Sequence, residues 1–458
     1  MINKIRLSQI IDLKRLYQAI QRNFSNSFYL ELGAGLHKKP DYCFIGFDPF
    51  QILEYSRDES KKDFFEIIRN TLNDFKITET YANYLGGLVG FFSYDFIRTI
   101  EELPDSTPED KKYPDALFGL FLDGIIIDYQ KEYFYYFFHS QFKNRISIVN
   151  FLIDESQNED PEKLDFYSKE IQFEISKENF IKNVEIIKEK IKNGETFQTV
   201  PSQRGFVEYK GNPFKVFLEL CEINPSPYLF YFDVKGYQVF GSSPETLVLV
   251  KDRKIQTFPI AGTRRIDNHA EITQISKDLL SDPKELAEHN MLVDLGRNDL
   301  GKISEIGSVN VPTYMAIQEL KHVIHIYSIV EGTLDKQFDS LDAFKAVFPA
   351  GTVSGAPKIR SMEIIDILES MRRGPYAGAF GYISLNFNLD MAITIRSFYT
   401  YLNKIFFQAG GGVVYDSDPV KEYEETMSKL RSLLVSIEKT NKRKKRKNKQ
   451  NDLEVLIQ

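Results

Sequence analysis

The sequence predicts an α+β fold in which helices cover antiparallel sheets. Two observations carry this. Short β-rich runs follow one another across turn-sized gaps at Pro227 to Val234, Tyr237 to Gly241, Thr246 to Val250 and Ile255 to Pro259. Helical periodicity comes after such groups of runs instead of alternating with each one, which argues against a parallel sheet.

Taken in order, residues 1–153 are expected to form a strand-rich first domain. Leu117 to Leu122 and Ile125 to Asp128 flank Asp123-Gly124, a dipeptide that two-residue hairpins favour. Tyr84 to Asp95 reads as a glycine-punctuated strand; it lacks the spacing of a dinucleotide fingerprint. Residues 154–170 are polar and acidic at their start and are assigned as a linker. The second domain is placed at 171–440. There Phe180, Val184, Ile187 and Ile191 repeat at helical spacing up to a stop at Gly194. A helix is expected from Pro283, with Asp282 and Glu285 in capping-box positions. Further strands are expected at Val323 to Val330, Ala379 to Leu385, Met391 to Phe398 and Ile405 to Gln408, and helices at about 340–347 and 357–372. Tyr423, Met427, Leu430, Leu434 and Ile437 form the stripe of a last helix. Residues 441–458 are basic and expected to be disordered.

Composition bounds the class. With 458 residues, 42% apolar and 27% charged, the chain has ample material for a core. No run reaches the ~18 apolar residues of a membrane span, and no basic-then-apolar signal opens it, so a cytoplasmic protein is expected. Cys43 and Cys221 are far apart and belong to no Cys-x-x-Cys pair. Seven of the eight residues from Lys442 to Lys449 are basic, so the rest of the chain carries a net −14 against −7 overall. Such a body argues against nucleic-acid binding.

Phe348-Pro-Ala-Gly-Thr-Val-Ser-Gly-Ala-Pro-Lys-Ile-Arg-Ser-Met362 describes a tight path opening into a helix, with Ser354 as cap and Pro357 in the first turn. Its glycines are too close for a Walker loop. Four further blocks accompany it: Phe197-Gln-Thr-Val-Pro-Ser202, Pro259-Ile-Ala-Gly-Thr-Arg264, Glu288-His-Asn-Met-Leu-Val-Asp-Leu-Gly-Arg-Asn-Asp299 and Gln408-Ala-Gly-Gly-Gly-Val-Val-Tyr-Asp-Ser-Asp418. In this order the blocks resemble the chorismate-utilising enzymes, most of all their anthranilate-forming large subunits. The resemblance is strong in the second domain and weak in the first. It implies a four-layer α/β/β/α arrangement of two packed antiparallel sheets.

The resemblance also implies roles. Mg2+ is expected on Glu288 and Glu425, holding the ring carboxylate of chorismate. The enolpyruvyl carboxylate is expected on Tyr376, Arg396 and the amides of Gly410, Gly411 and Gly412, with Gly262 and Thr263 also at the substrate. Alternation along Met391 to Arg396 puts Arg396 on the opposite face from Ile393 and Ile395. Glu245 is expected to protonate the C4 hydroxyl, and His325 with Thr263 to act in loss of pyruvate. On their residues alone Glu245 and Glu288 read more readily as surface carboxylates and His325 as a core histidine, periodicity puts Glu425 in water, and Arg396 reads equally as half of a structural ion pair.

Two positions separate relatives. Ala261 stands where para-aminobenzoate-branch enzymes often carry an attacking lysine, and Gln198 where isochorismate and salicylate synthases carry a lysine base. Both favour amination by outside ammonia, although aminodeoxychorismate synthase component I remains an alternative. Neither cysteine lies in a glycine-flanked elbow, so a separate glutamine amidotransferase subunit is the expected nitrogen source. The chain has 37 Phe and 25 Tyr but no Trp, which suits a protein made when tryptophan is scarce and equally a Lys/Ile/Asn-biased composition. A tryptophan feedback pocket is expected at Glu31, Leu32, Pro227, Tyr228 and Leu229, altered because Leu32 replaces the usual serine.

Overall fold

The computed structural model describes residues 1–6, 12–33, 40–58, 62–79, 82–108, 113–266, 272–319 and 323–455. Its strands form two large antiparallel sheets. The first runs Ile2–Arg6, Tyr133–His139, Asp123–Asp128, Tyr42–Phe47, Ser27–Leu32, Tyr228–Val234, Tyr237–Ser243, Ser397–Tyr401, Lys404–Gly410, Ser202–Gly211 and Gln172–Phe173. The second runs Ile260–Arg265, Val323–Thr333, Lys254–Thr257, Thr246–Lys251, Leu389–Ile393, Ala379–Ser384, Gly87–Phe92, Ala116–Phe121 and Gln51–Tyr55.

Alternation divides each strand between two cores. In Ser27–Leu32, Phe28, Leu30 and Leu32 enter the core between the sheets, where they meet Phe230 and Phe232. Tyr29 turns the other way, with Ile45, Tyr231 and Phe240, against the helices Leu13–Asn23, Ile146–Ser156, Phe214–Ile223 and Pro419–Val455. Helices Phe64–Asp74 and Ser340–Val347 cover the second sheet, Phe344 stacking on Phe92 with ring centres 4.4 Å apart. The result is the expected four layers.

The boundary at residue 153 does not separate two cores. Ser27–Leu32 pairs with Tyr228–Val234 in the first sheet, and Gly87–Phe92 pairs with Ala379–Ser384 in the second. A strand's partner is set by tertiary pairing, to which local composition is blind. Part of the assigned linker is likewise structured: Phe166–Ser168 pairs with Ser202–Gly211.

Four local expectations change. Asp123-Gly124 is no hairpin turn, because Ala116–Phe121 and Asp123–Asp128 lie in different sheets and Asp123 is buried against Tyr136 and Arg145. The expected strand through Arg396 is broken: Leu389–Ile393 belongs to one sheet, Ser397–Tyr401 to the other, and Arg396 at the crossing has φ +51°. Ser354 closes the four-residue helix Gly351–Ser354 by bonding the Ala350 carbonyl, while Pro357 precedes the helix Lys358–Leu368. The last helix extends through the basic run to Val455, where disorder was expected. Lys, Arg and Gln are good helix formers, and extending an existing helix carries no new nucleation cost.

Asp282 caps its helix as expected, accepting from the amides of Lys284 and Glu285. Glu285 turns to Arg264 at 2.7 Å. Among the described residues no helix is long and apolar enough to cross a membrane. Both cysteines have their thiols pushed up by burial, so neither is an activated nucleophile.

Candidate active site

Glu245 sits where the chain leaves the first sheet at Ser243 and enters the second at Thr246. The crossing is fixed by its own backbone: the Ile393 amide donates to the Glu245 carbonyl at 3.0 Å, and Ser243 Oγ donates to the Ile393 carbonyl at 2.7 Å. Thr352 Oγ1 donates to Glu245 Oε1 at 2.8 Å. Burial pushes this carboxyl up to about 7, against the opposing pull of Thr352 and the Lys429 charge. It can therefore hold a proton at neutral pH and give it up.

Glu288, on the helix Pro283–Gly301, accepts from Gln198 Nε2 at 3.1 Å. Burial raises its carboxyl; Gln198 and Lys429 lower it, while Glu285 and Glu425 raise it further. Glu425 belongs to the last helix and is bonded to Lys429 Nζ at 2.9 Å, with 56% of its side chain exposed. Burial acts to raise it, but Lys429, Lys284 and Arg396 outweigh that and hold it below the usual range. Among the described residues no group of three or more His, Cys, Asp and Glu could hold a metal. What two helices supply is a pair of carboxylates whose charges act on each other. That donor set fits Mg2+, which takes hard oxygen ligands, keeps several waters and needs only one or two protein carboxylates.

Arg396 stands where the chain crosses between the sheets. Its left-handed backbone is unusual for a bulky residue and turns the side chain out of the strand register. Burial pulls the guanidinium down to about 10, partly offset by Tyr376 and Glu425, so it stays cationic at neutral pH. Its Nη1 donates to the Lys429 carbonyl. Among the described residues it forms no ion pair, although the Glu425 charge acts on it. Tyr376, 4% exposed, packs under the Arg373 guanidinium at 5.6 Å.

Gly410, Gly411 and Gly412 run past the same place. The Gly410 carbonyl accepts from Lys429 Nζ at 3.1 Å, and a Cβ on Gly411 would lie 3.3 Å from Glu422 Oε2 and 3.9 Å from Glu425 Oε1. A Cβ on Gly412 would meet Gln198 Nε2 at 2.4 Å. Gly412→Ala is therefore expected to displace the Gln198 amide from Glu288 and to raise the Mg2+ concentration needed for half-maximal activity by about tenfold, seen in a metal titration of the variant.

His325 faces the bulge at Gly262 in the neighbouring strand, with Nδ1 3.3 Å from the Gly262 carbonyl. A carbonyl only accepts, so Nδ1 carries the proton and Nε2 is the basic nitrogen. Burial lowers the imidazole to about 4, Arg396 adding to the effect, and it is neutral at neutral pH. Thr263 lies directly opposite His325 in the ladder; its side chain is outside the described residues. Gly262 has φ +71°, and a Cβ there would meet Glu285 Oε2 at 3.0 Å. Ala261 is buried and offers no amine.

The five expected regulatory residues meet at the seam of the first sheet. Glu31 pairs with Leu229 and Leu32 with Tyr228, and the Gly33 amide donates to the Pro227 carbonyl at 2.7 Å. Glu31 is engaged by the hydroxyls of Tyr29 and Tyr129 at 2.7 and 3.0 Å. Tyr228 donates to Asp390 Oδ1 at 2.7 Å.

The sequence reading missed Thr352, Glu422 and above all Lys429, whose charge acts on Glu245, Glu288, Glu422 and Glu425. Only the four-residue step from Glu425 to Lys429 hinted at it, and that spacing is common on exposed helices.

A half-buried cation with no ion pair among the described residues, a protonatable carboxyl and two further carboxylates are groups with which an enzyme can receive an organic acid. The chain belongs to the family of chorismate binding enzymes, whose model matches residues 25–435. Within it the chain is similar to anthranilate synthase component 1 of Methanothermobacter marburgensis, 43% identical over 92% of each chain, and of Acetivibrio thermocellus, 39% identical over 90% of each. The crystal structure of anthranilate synthase component I from Streptococcus pneumoniae superposes with a TM-score of 0.78 at 36% identity, covering 86% of this chain and 92% of that one. The menaquinone-specific isochorismate synthase MenF of Escherichia coli, at 18% identity and TM-score 0.74, covering 95% and 94%, shares the fold.

Proposed function

We propose that the chain is the chorismate-aminating component of an anthranilate synthase, converting chorismate and ammonia to anthranilate, pyruvate and water in the cytoplasm. The observation that carries this reading is the half-buried Arg396, cationic and without an ion-pair partner among the described residues. Arg396 grips the enolpyruvyl carboxylate through two parallel charge-assisted bonds, with Tyr376 and the amides of Gly410, Gly411 and Gly412 beside it. Glu288 and Glu425 are the residues that would hold Mg2+ beside the ring carboxylate; when bound, the ion would supply a Lewis acid and cancel charge.

Glu245 gives its proton to the C4 hydroxyl, which leaves as water. Ammonia takes C2. Gln198 is tied to Glu288 as an amide donor and cannot deprotonate water, and Ala261 supplies no amine, so the protein itself provides no competing nucleophile. The neutral imidazole of His325, opposite Thr263, is placed to accept the C2 proton as pyruvate departs and the ring becomes aromatic. Ammonia comes from a separate glutamine amidotransferase subunit.

Purified chain with chorismate, ammonium and Mg2+ is expected to release anthranilate and pyruvate in equal amounts. Aminodeoxychorismate without pyruvate would reject the reading in favour of the para-aminobenzoate branch. Chelation with EDTA is expected to abolish turnover and excess Mg2+ to restore it. Tryptophan binding at the seam of Glu31, Leu32, Pro227, Tyr228 and Leu229 is expected to be weak, because Leu32 offers no hydroxyl; isothermal titration finding ordinary tight binding would overturn that.

A further inference from the structure

Glu245 lines a second space. A cavity of about 40 Å³ is lined by Glu245, Thr352 and Asp299 and by apolar side chains that include Leu292, Leu295 and Val347. Roughly two or three waters fit in such a volume. None of Arg396, Tyr376, His325, Glu288 or the glycines of the substrate site lines it. Asp299 is 5% exposed and accepts from two lysines: Lys358 Nζ at 2.9 Å and Lys302 Nζ at 3.2 Å. Lys358 is also bonded to the Val347 carbonyl at 2.8 Å, whereas the Lys302 side chain is 57% exposed. Asp299 therefore joins the cavity to the surface.

The chemistry requires a path of this kind. In each turnover Glu245 loses one proton to the C4 oxygen, the C4–O bond breaks with both electrons going to oxygen, and water leaves. The nitrogen added at C2 sheds one proton in turn. The count closes only when a proton returns to Glu245. Thr352 donates to Oε1, which leaves Oε2 as the oxygen that carries the exchangeable proton.

Resting on the reading of Glu245 as the acid, we propose that this cavity is the water-filled route by which Glu245 regains its proton, with Asp299 as the relay at its outer end. Asp299 touches no substrate and acts through the waters.

Two variants test it, assayed with chorismate, ammonium and Mg2+ in H2O and D2O. Asp299→Asn keeps the shape and removes the exchangeable carboxyl; Ala350→Val fills the cavity from its lining. Each is expected to lower kcat by about tenfold, within the range of proton-transfer effects, with the chorismate KM unchanged and a larger solvent isotope effect on kcat. Formate buffer is expected to recover the Asn variant and not the filled one. Wild-type kcat and isotope effect in both variants would overturn the route, as would a loss of kcat that follows a fall in Tm with no change in isotope effect. A wild-type chain that makes no anthranilate would overturn the functional reading itself, a different result from an active wild type with indifferent variants.

Discussion

Glu245→Gln is expected to lower kcat for anthranilate by about 10²- to 10⁴-fold, the usual contribution of a positioned general acid, with chorismate KM within a few-fold of wild type. The amide keeps the shape and can still accept from Thr352, but it has no proton to give. The pH profile follows from the sign of the shift. The acid must be protonated, and burial places its carboxyl at about 7, so wild-type kcat falls as pH rises through that value. The variant's residual activity lacks that limb. Stability moves with it: a carboxyl raised from 4.5 to about 7 makes the wild-type fold lose stability as pH climbs across that window, and the Gln variant escapes the loss. Comparing Tm at pH 5 and pH 8 checks this independently of turnover. A wild-type limb unchanged in the Gln variant would move the acid elsewhere.

Arg396→Lys is expected to raise the chorismate KM roughly 100-fold. Charge is kept, but the planar fork is lost, and with it two charge-assisted bonds of about 1.5 kcal/mol each, where 1.36 kcal/mol is a factor of ten. The same carboxylate survives on pyruvate, so product inhibition by pyruvate should weaken in parallel. Weakened chorismate binding with unaltered pyruvate inhibition would place the enolpyruvyl carboxylate on other groups. Lysine meets the same left-handed backbone as arginine, so the comparison is not confounded by a change in strain.

Much of the architecture was legible. The hairpin-spaced strands of 227–259, the capped helix from Pro283 and the stripe from Tyr423 to Ile437 all form close to where periodicity put them, because burial of one face imposes a repeat on the residues. The crossings were not legible. Asp123-Gly124 carries the composition of a turn yet joins two sheets, and Met391 to Phe398 reads as one strand yet changes sheet at Arg396. A hairpin turn and a crossover use the same permissive residues, and only the strand's partner tells them apart.

The same division holds at the site. Residue types and their order, from Gln198 and Ala261 to the run Gly410 to Gly412, determined which chemistry is available, since an amide, a methyl group and bare backbone are what they are in any fold. How far each carboxyl's proton affinity departs from the ordinary value was decided by tertiary structure alone. Glu245, Glu288 and Glu425 are the same side chain, and what distinguishes them is the depth to which each is buried and the charge of Lys429, a residue that acts on them because the last helix packs against the first sheet. Proton affinity is a property of surroundings, and surroundings assembled from segments more than a hundred residues apart are written nowhere in local sequence.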